Sequence, residues 1–248
     1  MAGYNDDRKE FEEQKRKFAR ELARDTKLQK ENWQFYRQAC SHNYEYLWNW
    51  MGVPIIQTPA DIMVTQEIIW ETKPQLIIET GIARGGSVLF YASLMETIGE
   101  GRVVGIDIDI RAHNRDTIEN HPVSKRVDLI QGSSIDDSIV TQVRTMADKC
   151  EKVMVILDSN HTHEHVLAEL EAYAPMVTKG QFLIVADTSV DFFEPLDDRP
   201  RPWGQGDNPK TAMDSYLKTT DRFERDAFYN DKLIMTSSPE GYLRCIKA

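Results

Sequence analysis

The run Leu76-Ile77-Ile78-Glu79-Thr80-Gly81-Ile82-Ala83-Arg84-Gly85-Gly86-Ser87 carries the strongest fold signal in the chain. Its first part is short, apolar and rich in β-branched residues, the pattern of a strand buried on both faces. A glycine-containing bend follows, and helical periodicity begins at Gly86. Strand, bend and helix in this order make the opening βα unit of an open α/β sheet, whose ligands bind at the carboxyl ends of strands. Glycine lets the backbone turn tightly and approach a ligand without a Cβ clash, while the helix start offers unpaired amides. The bend therefore reads as a cofactor cradle, with Gly81, Ala83, Gly85 and Ser87 as its contact positions.

Outward from this unit, Val/Ile/Leu-rich runs alternate with helical segments, which predicts a doubly wound, mostly parallel sheet. Strands are expected at 75–80, 102–107, 127–131, 153–158 and 181–186, and helices near 86–98, 112–120, 136–148, 163–173 and 209–219. Two extended runs, 232–236 and 242–247, flank Ser237-Ser238-Pro239-Glu240-Gly241, a turn suited to a terminal antiparallel hairpin. Upstream, 6–32 is densely charged with Phe11, Phe18 and Leu22 at helical spacing, and reads as an exposed amphipathic helix. Residues 33–50 concentrate Trp33, Phe35, Tyr36, Tyr44, Tyr46, Trp48 and Trp50, which either pack on the core or a second subunit or form a lid. The expected division is an N-terminal helical extension, 1–52, and one catalytic α/β domain, 53–248.

Charge narrows the cofactor. Dinucleotide folds need glycine at the second fingerprint position, where backbone meets pyrophosphate, and here Ala83 stands there. Glu79, just before the bend, suits the cationic methionyl end of S-adenosylmethionine better than a diphosphate. Asp107 closes the next strand, where a carboxylate accepts ribose hydroxyls of any adenosine cofactor. Gln131-Gly132-Ser133-Ser134-Ile135-Asp136 puts Ser134 and Asp136 at the adenine end of the cleft, or else at a helix N-cap.

Asp158 and Asp187 end the fourth and fifth strands. If those strands are neighbours, about 4.8 Å apart, the two carboxylates repel and invite either a shared proton or a cation such as Mg²⁺. Asp158 thus serves both the cofactor end and a metal site, and Asp187 completes the latter. His161 lies just beyond Asp158 and is the expected general base for a hydroxyl. His163 opens a helix and His165 lies along it, without an assigned role. Residues 188–208 form a long irregular insert whose Phe192, Phe193 and Trp203 either line a substrate pocket or merely staple a surface loop.

A net charge of −10 argues against a nucleic-acid partner, since a polyanion needs a clustered positive surface. No apolar run reaches the roughly 20 residues that span a bilayer, and the start at Met1 lacks a signal-peptide core. Cys40, Cys150 and Cys245 follow no metal or redox spacing, so a cytoplasmic protein with reduced thiols is expected.

Gly52-Val53-Pro54-Ile55-Ile56-Gln57, the Glu79–Ser87 bend, Leu157-Asp158-Ser159-Asn160-His161, Val185-Ala186-Asp187-Thr188 and Gly241-Tyr242-Leu243-Arg244 together resemble motifs of the cephalosporin hydroxylase family. That family includes rhamnosyl O-methyltransferases, and the similarity runs from about Pro54 to Lys247. The resemblance implies the Rossmann-like class I methyltransferase fold, a seven-stranded sheet closed by an antiparallel hairpin. It also implies S-adenosylmethionine as cofactor, with Mg²⁺ held in some members by carboxylates matching Asp158 and Asp187. Ala186 departs from the Glu-Asp pair those members place there. The expected activity is S-adenosylmethionine-dependent O-methylation of a sugar-containing small molecule, by a homo-oligomer. The alternatives are an NAD(P)-dependent oxidoreductase, disfavoured by Ala83, and a non-catalytic S-adenosylmethionine-binding protein.

Overall fold

The computed structural model describes residues 6–194 and 200–248. Of the expected insert, 195–199 lie outside the described residues, as does the start at 1–5. Two helices lead, α1 (Arg8–Arg24) and α2 (Thr26–Ser41). The expected single helix over 6–32 divides at Asp25, whose carboxylate accepts from the Leu28 amide at 3.0 Å and starts α2 afresh. A two-stranded ribbon of β1 (Trp48–Trp50) and β2 (Val53–Ile55) follows, then α3 (Pro59–Thr72).

The main domain alternates β3 (Leu76–Thr80), α4 (Gly86–Ile98), β4 (Arg102–Asp107), α5 (Ala112–Glu119), β5 (Val127–Gln131), α6 (Asp137–Ala147), β6 (Val153–Leu157), α7 (His163–Tyr173) and β7 (Phe182–Val185). After the insert come α8 (Pro209–Leu217), β8 (Phe223–Arg225), α9 (Ala227–Asp231) and β9 (Tyr242–Cys245). Seven strands form one sheet in the order β5-β4-β3-β6-β7-β9-β8, parallel except for β9, which runs antiparallel to both neighbours. Every residue of β3 and β6 is buried, as continuous apolar runs in a sheet covered on both faces require. One core layer gathers Ile77, Phe90, Tyr91 and Ile156, the other Ile78, Val104, Val155 and Leu170. The chain moves from β3 outward to β5, then crosses back to β6, so the crevice at the carboxyl end of β3 is the topological switch point.

The terminal antiparallel pair is present, but β8 occupies the place expected for 232–236. Those residues form no strand. They run to the start of α3, where Asp61 accepts from the Ser237 amide at 2.8 Å, from Ser237 Oγ at 3.2 Å and from Thr236 Oγ1. A buried carboxylate needing donors outcompetes strand pairing here. Among the described residues no helix is long and apolar enough to cross a membrane.

Candidate active site

The bend after β3 is set by sterics. Gly81 has φ +81°, and a Cβ there would lie 2.0 Å from the Asp158 carbonyl oxygen. Gly85 is the N-cap of α4, and a Cβ on Gly86 would fall 2.3 Å from the Pro54 carbonyl, so the ribbon strand β2 presses directly on the cradle. Ala83 holds φ +46°, a left-handed conformation costly to a residue with a Cβ. It is held there by Asp107, whose Oδ2 accepts from the amides of Ile82 at 3.0 Å and Ala83 at 3.1 Å.

The cavity at this crevice, about 220 Å³, is lined by Gly81, Ala83 and Asp107 on the cradle side and by Asp158, His161 and Asp187 on the other. Glu79 is fully buried and is not among its lining residues. Its carboxylate accepts from Ser87 Oγ at 2.8 Å and Tyr91 OH at 3.1 Å, and it is Tyr91 that reaches the cavity. Burial pushes the Glu79 carboxyl up to about 8, against the pull of these two donors. Glu79 therefore lies one layer behind the wall, linked to the cavity by its hydrogen bond from Tyr91. Ser134 is buried beside His165, whereas Asp136 is exposed at the N-cap position of α6 and makes no side-chain cap bond.

Asp158, His161 and Asp187 come together. One ligand atom from each lies within 4.8 Å of the others, with His161 Nε2 3.3 Å from Asp187 Oδ2. Parallel pairing of β6 with β7 brings the two acids to one mouth, since Leu157 is in register with Val185. Asp187 adopts φ +54°, which aspartate tolerates better than most residues. Burial, reinforced by Asp187 and Glu79, holds the Asp158 carboxyl well above the carboxylate range. Burial and Asp61 raise Asp187 to about 6, against Arg201. Burial lowers His161 to about 4, leaving a neutral imidazole at pH 7. Two acids and a neutral imidazole facing one another form a donor set that fits a divalent cation. His161 was expected as a base and not as a third member of that set.

Sequence reasoning missed Gln57, Glu45, Asp61 and Tyr242, which also line the cavity. Gln57 Oε1 is buried without a hydrogen-bond partner among the described residues. Thr58-Pro59-Ala60-Asp61 was the available signal for Asp61: Thr58 caps α3 and bonds Asp61 Oδ2 at 2.8 Å. A second cavity, about 180 Å³, shares His161 and Asp187 and is walled by Tyr36, Phe193 and Trp203. Trp33 stacks on Phe192 at 4.7 Å, joining α2 to the insert. His163 is committed elsewhere, its Nδ1 2.8 Å from Thr211 Oγ1.

The family model described as Rhamnosyl O-methyltransferase/CmcI matches residues 42–246. The chain belongs to the rhamnosyl O-methyltransferase/CmcI family. Among relatives in this family, the rhamnosyl O-methyltransferase of Mycobacterium leprae is 32% identical over 206 residues, covering 80% of this chain and 84% of that protein. The corresponding protein of Mycobacterium bovis is 30% identical over 200 residues, covering 78% and 76%. Solved structures of CmcI, one an apo-structure and one with Mg and SAM, align with TM-scores of 0.59 and 0.55 at 19% and 20% identity. Each alignment covers 82% of this chain and 78% of the other, and shows that the CmcI fold is shared. The family match starts at residue 42, so α1 and α2 lie outside it.

Proposed function

We propose that this protein is an S-adenosylmethionine-dependent O-methyltransferase acting on a hydroxyl of a sugar or glycosylated small molecule. The supporting observation is that a glycine cradle and the Asp158, His161, Asp187 cluster open onto one cavity. The donor's ribose is held by Asp107, which keeps lone pairs free beyond its bonds to the cradle. Gln57 Oε1 takes the methionyl ammonium, and a cationic sulfonium beside Glu79 and Asp158 favours release of the protons that burial holds on their carboxyls. The acceptor enters through the second cavity, where Phe193 and Trp203 supply aromatic walls for a sugar ring and Tyr36 backs them.

Methyl transfer forms a carbon–oxygen bond at the acceptor and breaks the carbon–sulfur bond of the donor. The acceptor's proton goes to Nε2 of His161, and Asp187, 3.3 Å away, stabilises the imidazolium that results. Holding oxygen, methyl carbon and sulfur in line supplies much of the rate. Asp158 and Asp187 would hold Mg²⁺ or a similar divalent ion, which when bound would lower the pKa of a hydroxyl, with His161 Nε2 left free to take the proton. Ala186 supplies no ligand. The reading carries a cytoplasmic location and a homo-oligomer formed through the N-terminal extension, where Phe11 and Phe18 stand exposed.

Calorimetric titration with S-adenosylmethionine, S-adenosylhomocysteine and NAD, each with and without Mg²⁺, followed by transfer of labelled methyl to rhamnosides, tests this. Binding of the two sulfur nucleosides and labelling of the sugar are expected. Preference for NAD, or donor binding without transfer to any hydroxyl, would overturn the reading.

A further inference from the structure

α7 presents a polar stripe that the proposed chemistry does not use. His165 and Glu169 are one turn apart and share a face. Glu169 is wholly buried, and its Oε1 accepts from Ser159 Oγ at 2.7 Å and lies 3.5 Å from His165 Nε2. Its Oε2 has no partner among the described residues. Nε2 of His165 also lies 3.1 Å from Ser159 Oγ and 3.2 Å from Ser134 Oγ. Further along the same helix, Tyr173 OH donates to the Ser134 carbonyl at 2.6 Å, fixing that loop against α7.

This network fixes a tautomer. Ser159 spends its hydroxyl proton on Glu169, so its oxygen is left to accept, and the carboxylate can only accept. Three oxygens around Nε2 place the ring proton there, leaving Nδ1 as a bare acceptor. No hydrogen bond to Nδ1 occurs among the described residues.

His165 also lines a separate cavity of about 180 Å³, whose other walls include Asp107, Ile108, Ser133, Ser134 and Asn160. Asp107 fixes the ribose end of this space. Ile108 is 73% exposed at its rim, an apolar side chain that a flat base would cover. A purine leaving the ribose at Asp107 therefore runs between Ile108 and α7 with its polar edge toward His165.

We propose that His165, oriented by Glu169, is a specificity-determining residue that reads the exocyclic amino group of the donor's adenine through Nδ1. The proposal rests on the methyl-donor reading above. It identifies the ligand group as a hydrogen-bond donor, so a 6-oxo purine, which presents an acceptor at that exocyclic position, is disfavoured.

The test compares S-adenosylhomocysteine with its deaminated counterpart, S-inosylhomocysteine, by calorimetry on the full chain. The wild type should prefer the amino compound by about tenfold or more, the scale of one polar group left unpaired. His165→Phe should lose that preference by weakening only the adenosyl ligand, and His165→Asn, which keeps an acceptor close to the Nδ1 position, should retain most of it. An unchanged preference in His165→Phe, or no preference in the wild type, overturns the assignment. If His165→Phe binds neither ligand, the Asn variant decides: retained preference supports the assignment and lost preference overturns it. A wild type that binds neither nucleoside would instead remove the methyl-donor reading itself.

Discussion

Glu79 illustrates how a residue's environment outweighs its place in a motif. Its position before the bend marked it as a contact for a cationic donor, but burial puts Ser87 and Tyr91 between it and the cavity. No periodicity in one strand reveals which layer a side chain enters. The consequence is a measurable proton linkage. With its carboxyl raised from the ordinary value near 4.5 to about 8, the native state keeps a proton that the unfolded chain releases. Stability without ligand should therefore be highest below about pH 4.5 for this group and decline as pH rises toward 8. Glu79→Gln removes that slope, and urea unfolding between pH 5 and 8.5 checks it; parallel stability profiles in the two proteins would refute the linkage. Ala83 makes a second case. The sequence used it to exclude a dinucleotide, and the structure shows that it carries φ +46°. Ala83→Gly should raise stability by about 0.5–1 kcal/mol, the relief of a left-handed alanine less the added glycine entropy. A lower urea midpoint in that variant would contradict the strain.

At the scale of elements, the parallel strands were legible because each is a short β-branched run buried on both faces, and β4 and β5 match their expected bounds. The edge was not legible. Phe223-Glu224-Arg225 has only three residues, two of them charged and exposed, too short for a period to show. The run 232–236 looked more strand-like, yet it is pinned to α3 through Asp61, a contact spanning some 175 positions of chain. Asp61 also takes the Tyr242 hydroxyl at 2.8 Å, so one carboxylate ties α3, the 236–238 segment and β9 together. Asp61→Ala would strand several buried donors at once. Urea unfolding should lose about 3 kcal/mol or more, given about 1–3 kcal/mol for each orphaned buried group, and Asp61→Asn should lose less. A loss under about 1 kcal/mol in the alanine variant would mean the donors find other partners.

For the whole molecule, the cluster of Asp158, His161 and Asp187 sits at a junction. The cradle-side cavity and the aromatic cavity share His161 and Asp187, so on the proposed reading donor and acceptor meet at the same groups. The first side is built by β3, β4 and β6, whose ends sequence patterning located. The second depends on Tyr36 from α2, which precedes the family match, and on Phe193 and Trp203 from the insert. Aromatic density at 33–50 showed that something packs there without showing what. The structure joins the parts: Trp33 stacks on Phe192 at 4.7 Å and Tyr36 meets Phe193 edge-on at 6.0 Å, so the N-terminal extension packs against the insert beside the second cavity. A residue that touches the insert but lines neither cavity separates the two functions. Trp33→Ala, costing an aromatic pair worth about 0.5–1.5 kcal/mol, should raise KM for the acceptor by roughly 2- to 10-fold. The Kd for S-adenosylhomocysteine should stay within twofold, because Asp107, Gly81 and Gln57 line the first cavity and Trp33 does not. Steady-state kinetics with calorimetry on the same variant decides the matter, and a parallel loss of donor affinity would show that α2 supports the whole crevice and not the acceptor side alone.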